Sequence, residues 1–169
     1  YSMFDNGGKR IKATLIDRIQ DRYGRTIFKH DQRECRGCDA PGGWKNQPEP
    51  QLIDRREQVL DPMTAYQITS LMEGVVQRGT GSALREVGKP VAGKTGTTND
   101  AKDAWFVGFT PEIAVGVYLG YDKPREIARN ATGGHLAAPI VRDLWKVALA
   151  DGPPVPFKIP PGIKLIRSD

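Results

Sequence analysis

The chain has 169 residues, 38% hydrophobic and 27% charged, with Gly 19 and Pro 13. That is one domain or a large piece of one, too apolar for a disordered chain and too rich in turn formers for a helical bundle. The net charge of +5 is spread out, with 12 basic against 9 acidic residues in 1–60, 5 against 6 in 61–120 and 8 against 5 in 121–169. No basic tract interleaved with aromatics marks a nucleic-acid surface, so none is expected as a partner.

In chain order, Met3-Phe4 reads as the end of a buried helix stopped at Gly7 or Gly8. The β-branched run 11–19, the turn Asp21-Arg22-Tyr23-Gly24-Arg25 and Thr26-Ile27-Phe28-Lys29 predict a β-hairpin. Residues 31–58 are polar and turn-rich and read as an irregular loop or insertion. They hold Cys35-Arg36-Gly37-Cys38, for which three readings compete. One is a local disulfide in an oxidising compartment or an unpaired structural role, which is favoured. The others are a redox pair without its strand–helix context, and a zinc site completed by His30 and His135 without a compact zinc spacing.

Residues 61–79 predict the clearest helix. Asp61 is an N-cap, Pro62 the first helical residue and Gly79 the stop, with Ile68, Leu71, Met72, Val75 and Val76 on one stripe. Gly79-Thr80-Gly81 follows a helix rather than a strand, so it is not read as a phosphate-binding loop. Three antiparallel strands should follow in spatial order: Val91 to Thr98, 104–109 and 113–121. The last two are so continuously apolar that both faces should be covered by helices. A final helix starts at Pro139 with Ile140, Val141, Leu144, Trp145 and Ala148 on one face, and residues 153–169 form a Pro-rich extended tail. No apolar run approaches the ~18 residues of a membrane span. The first residues lack an initiator Met and the last lack a helix stop, so both ends read as lying within a longer sequence.

The chemistry-bearing stretch is Gly93-Lys94-Thr95-Gly96-Thr97-Thr98-Asn99. On a strand Lys94 and Gly96 share one face, and Thr95 and Thr97 the other. A bare glycine permits close approach by a ligand, and a peptide can add to the strand edge through its main chain. The Thr95 and Thr97 hydroxyls can hold a carboxylate. Lys94 can place a cation beside a nucleophile or relay a proton, and a backbone N–H can stabilise an oxyanion. By itself a Lys-Thr-Gly tripeptide is weak, because an ordinary strand with a surface lysine looks the same.

Several separated stretches, in order, give it context. Phe4-Asp5-Asn6-Gly7-Gly8, Asp61-Pro62, Gly79-Thr80-Gly81, Ala92 to Asp100, Asp103 to Pro111, Thr132-Gly133-Gly134 and Ala137-Ala138-Pro139 resemble the transpeptidase domain of class A (bifunctional) penicillin-binding proteins. Asp5 departs from that family's usual Ala, and residues 31–58 fall outside the shared pattern. The resemblance implies an α/β (α+β) fold, an antiparallel sheet of about five strands with helices on both faces, of which this chain is a partial domain supplying most of the sheet. It implies crosslinking of peptidoglycan D-Ala-D-Ala stem peptides through a serine acyl-enzyme that β-lactams also acylate. It also implies a periplasmic setting, an inner-membrane anchor outside this chain, and no cofactor or metal.

Carried onto this sequence, Lys94 is the third-motif lysine, and Gly96 the point of close approach. Thr95 and Thr97 are the carboxylate-facing hydroxyls, the Thr97 N–H is half of an oxyanion hole, and Thr98 is a supporting substrate-binding residue. The family's first and second motifs, Ser-x-x-Lys and Ser-x-Asn, are absent: the serines are Ser2, Ser70, Ser82 and Ser168, and none has a lysine three residues on. The partner implied is therefore an N-terminal part of the same domain carrying both motifs. Two other functions compete, a non-catalytic cell-wall peptide-binding module and a carboxypeptidase or β-lactamase-like hydrolase of the same fold.

Overall fold

The computed structural model describes residues 1–38 and 51–166; the stretch 39–50 and the end of the tail lie outside them. The chain forms two compact units, Arg10–Glu57 and the remainder, Tyr1–Lys9 with Gln58–Asp169.

The larger unit opens with helix α1 (Ser2–Asp5). Gly7 and Gly8 stop it in the left-handed region, at φ 74° and 89°. A Cβ on Gly8 would lie 2.1 Å from the Leu60 carbonyl oxygen, so only glycine lets the two strands of chain cross there. Helix α2 (Pro62–Arg78) starts as expected, the Thr64 N–H donating to the Asp61 carboxylate at 2.9 Å, and ends where the Gly79 N–H meets the Val75 carbonyl. Its buried stripe differs from the predicted one. Ala65, Thr69, Met72 and Val76 are buried, while Leu71 is 70% exposed. Thr69 reads as polar, but its hydroxyl donates to the Ala65 carbonyl and so enters the core at little cost.

Helix α1 packs on α2, and burial pushes the Asp5 carboxyl up to about 6. A carboxyl raised in the folded state binds its proton more tightly there than in the unfolded chain. Its stabilising contribution is complete below pH ~4 and is lost as pH rises through about 6. At pH 7 the ionised group opposes folding. Asp5→Ala should therefore stabilise the chain at pH 7 by roughly 1 kcal/mol, a figure discounted for the partly exposed site. It should also flatten the stability–pH slope across the acid range. Urea titrations at several pH values measure this, and an unchanged slope would contradict it.

Strands β5 (Ala92–Thr97), β6 (Asp103–Phe109) and β7 (Ala114–Gly120) form one antiparallel sheet in that order, as predicted. The register pairs Lys94 with Val107, Gly96 with Trp105, and Trp105 with Tyr118. Helix α3 (Ala138–Ala148) packs Val141 and Trp145 with Phe106 on one face, the Phe106 and Trp145 rings meeting edge-to-face at 6.4 Å. On the other face, Met72 of α2 and Phe157 of the tail cluster with Ala92 and Phe109. That cover stops short of Trp105 and Tyr118, which stay 43% and 49% exposed. Small outward residues, Ala114, Gly116 and Gly120, explain why so apolar a strand as β7 can leave one face open. Helix α3 buries a narrower stripe than expected, since Ile140, Leu144 and Ala148 are exposed and the bulk of Trp145 fixes the buried side.

In the smaller unit, β1 (Arg18–Gln20) and β2 (Thr26–Lys29) form the expected hairpin with a first strand much shorter than the 11–19 run. The stretch read as irregular holds a second pair, β3 (Glu34–Arg36) with β4 (Gln51–Ile53). Cys35 and Cys38 are joined in a disulfide across the end of β3. Strands of three residues are too short to carry a periodic signal, which is why the sequence did not show them.

Candidate active site

Strand β5 is an edge strand: only β6 pairs with it among the described residues. The Thr98 N–H donates to the Asp103 carbonyl at 3.1 Å, making Thr98–Asp103 a hydrogen-bonded pair. Antiparallel alternation then makes Gly96–Trp105 and Lys94–Val107 hydrogen-bonded pairs too. The N–H groups of Thr95 and Thr97 therefore point to the open edge, where no strand takes them up.

The side chains divide as period two requires. Lys94 is exposed, and its Nζ donates to the Thr95 carbonyl at 2.7 Å; among the described residues it has no carboxylate partner. Gly96 lies over Trp105, where a Cβ would come 3.2 Å from the Trp105 Cβ. The Thr97 hydroxyl accepts from the Gly133 N–H at 3.1 Å, so its own proton is free to donate outward. The Thr95 hydroxyl shares a 2.6 Å hydrogen bond with the Thr80 hydroxyl. Either oxygen can be the donor, and when Thr80 donates, the Thr95 proton is also available.

Thr98 has a different environment. Its hydroxyl meets the Asp103 carboxylate at 3.2 Å and accepts from the Asp103 N–H at 2.9 Å. The Tyr118 hydroxyl donates to the other Asp103 oxygen at 2.8 Å, and that carboxylate pushes the phenol up from its ordinary value. Thr98 thus closes the β5–β6 connection, whose Asp100 and Ala101 take left-handed φ values of 61° and 48°. The structure brings Lys94, Thr95, Gly96 and Thr97 together on one open edge and commits Thr98 to the turn behind them.

Two supports were not picked out as site residues from the sequence. The turn after α2 brings Thr80 to Thr95. The π-helical turn Gly133–Ala137 brings Gly133 so close that a Cβ would lie 2.1 Å from the Trp105 carbonyl oxygen and 2.6 Å from that of Gly96. Both come from short Gly-rich stretches, Gly79-Thr80-Gly81 and Thr132-Gly133-Gly134. Their glycines are the signal of close backbone approach.

This fold is that of a known family. The model for the penicillin binding protein transpeptidase domain matches residues 1–146, and the chain belongs to that family. It is 45% identical, over its whole length, to penicillin-binding protein 1A of Rickettsia bellii, of which it spans 22%. The crystal structure of penicillin-binding protein 1A from Haemophilus influenzae superposes with TM-score 0.74 and 29% identity, covering 95% of this chain and 27% of that one. The imipenem acyl-enzyme complex of penicillin-binding protein A from M. tuberculosis superposes with TM-score 0.55 and 25% identity, over 88% of this chain and 29% of that one. The chain therefore spans 22% to 29% of the length of these three proteins. No helix among the described residues is long and apolar enough to cross a membrane.

Proposed function

We propose that this chain forms the Lys-Thr-Gly wall of a serine-type D-Ala-D-Ala transpeptidase that crosslinks peptidoglycan stem peptides, with the nucleophile supplied by sequence outside it. The observation that carries the reading is the open edge of β5. It places a cation at Lys94, outward N–H groups at Thr95 and Thr97, and a hydroxyl proton at Thr97 that Gly133 leaves free to donate.

In this reading the stem peptide lies along the edge as an added strand. Its terminal carboxylate meets the Thr97 and Thr95 hydroxyls. The serine oxygen bonds to the penultimate D-Ala carbonyl carbon, and the carbonyl oxygen takes negative charge against the Thr97 N–H. The C–N bond then breaks and the terminal D-Ala leaves with a proton on its amine. Lys94 helps move that proton and stabilises the charge. An amine of a neighbouring strand attacks the acyl-enzyme, restoring the serine and completing the crosslink. A β-lactam meets the same edge with its carboxylate and carbonyl.

The protein so read works in the periplasm, held to the inner membrane by a segment outside this chain. The disulfide agrees with an oxidising compartment. Peptide-binding without catalysis, the competing reading, would leave Lys94 idle. Labelling with a fluorescent penicillin tests the proposal. The chain alone should form no covalent adduct, and joining it to a segment carrying Ser-x-x-Lys and Ser-x-Asn should restore labelling. A stable adduct on the chain alone would overturn it.

A further inference from the structure

The ribbon of β1 and β2 in the smaller unit has an unpartnered surface of a particular kind. It is a two-stranded sheet, so each strand keeps an outer edge that no strand pairs with among the described residues. Every residue of both strands is exposed. A lone ribbon is marginal in water, and its free edges are templates for another strand.

Its side chains add two features. Ile19 and Phe28 form a directly opposed cross-strand pair, and Ile27 beside them is 67% exposed. Tyr23 at the turn is 78% exposed, and Leu15 and Ile16 at the other end are exposed as well. The ribbon is also cationic. Residues 10–29 carry six basic groups against Asp17 and Asp21. The register sets Arg18 directly opposite Lys29, a like-charge pair that costs stability unless offset; Asp31 lies within electrostatic reach of Lys29 but is bonded by Arg33. Asp21 is taken up by Arg25 at 2.7 Å, and Arg10 by Glu57 at 3.2 Å. Lys12, Arg18 and Arg22 have no acidic partner among the described residues.

We infer that this ribbon takes up an extended acidic polypeptide segment as a third strand. The segment's main chain pairs with a free edge, its apolar side chains cover Ile27 or the Ile19–Phe28 pair, and its carboxylates meet Arg18, Arg22 and Lys29. Other occupants fit less well. Hydrocarbon would leave the edge N–H and C=O groups unsatisfied. A second copy would bring the same positive charge against itself. Nucleic acid would leave the edge N–H and C=O groups without a partner strand and the exposed Ile19 and Ile27 uncovered.

The test is fluorescence anisotropy of the chain with a labelled peptide of alternating Glu and Val, and with the same peptide carrying Lys for Glu. The acidic peptide should bind at least ~10-fold more tightly, and more weakly as salt rises. Its binding should slow amide exchange in 18–20 or 26–29. Arg18→Glu with Lys29→Glu should reduce acidic-peptide binding by a similar factor. Those side chains are solvent-exposed, so the peptide exchange reads the same charge dependence without altering the protein. Equal binding of both peptides would overturn the inference. So would binding to phosphatidylglycerol vesicles that the acidic peptide does not displace, or dimerisation through the ribbon.

Discussion

Gly133→Ala should destabilise the larger unit by about 3 kcal/mol. The new Cβ would stand 2.1 Å from the Trp105 carbonyl oxygen and 2.6 Å from that of Gly96. Both are backbone atoms of a paired sheet, so neither can swing aside as a side-chain tip would. The turn must lift off β5, and the Gly133 N–H then leaves the Thr97 hydroxyl. Gly116→Ala is the matched comparison. There a Cβ would meet the Val107 Cγ2 at an ordinary 3.8 Å, and the change should stay within ~0.5 kcal/mol. Denaturant titration of the two variants measures the difference. Equal costs would mean that the turn does not press on the motif strand.

Lys94→Ala should have the opposite profile, nearly silent in stability and severe in chemistry. Lys94 is exposed and, among the described residues, its Nζ hydrogen-bonds only the Thr95 carbonyl, so folding should change by less than ~0.5 kcal/mol. Placed in a polypeptide that also carries the serine motifs, the same change should slow acylation by a β-lactam about 10²- to 10³-fold, the usual scale for losing a proton-handling group. Lys94→Arg separates charge from proton transfer. It keeps the cation but cannot release a proton near neutral pH, so it should recover less than about tenfold of the loss. Stopped-flow acylation with a chromogenic cephalosporin reads these rates. Full activity of Lys94→Ala would remove this residue from the chemistry.

The contrast between these positions shows what the sequence could reveal. Lys94, Thr95, Gly96 and Thr97 were legible because the resemblance to the transpeptidase family marked the stretch, and a strand's period of two then fixed which side chains share a face. The long apolar runs of β6 and β7 fixed their partners in the same way. Asp61 and Pro62 announced α2, and the apolar spacing gave its length. Which stripe each helix buries was less legible. In α2 a threonine that satisfies its hydroxyl on its own helix took a core place, and in α3 one tryptophan decided the side. Gly133 and Thr80 lie 36 and 17 residues from Thr97 in sequence, and only the folded chain brings them to the motif. The commitment of Thr98 to Asp103 was equally hidden, because a threonine ending a strand looks the same whether it faces a ligand or a turn. The ribbon at 18–29 was visible as a hairpin. Its register, which sets Arg18 against Lys29, was not, since the bulge between Ile19 and Gln20 shifts it.

In the function proposed above, this chain carries the carboxylate- and oxyanion-binding edge and the nucleophile lies elsewhere. The most direct measurement is to map the acyl group by mass spectrometry after β-lactam treatment of a polypeptide joining this chain to its Ser-x-x-Lys segment. The label should fall on the serine of that motif, outside residues 1–169, and disappear when that serine is changed to Ala. A label on Ser2, Ser70, Ser82 or Ser168, or acylation that persists without the upstream serine, would contradict the account.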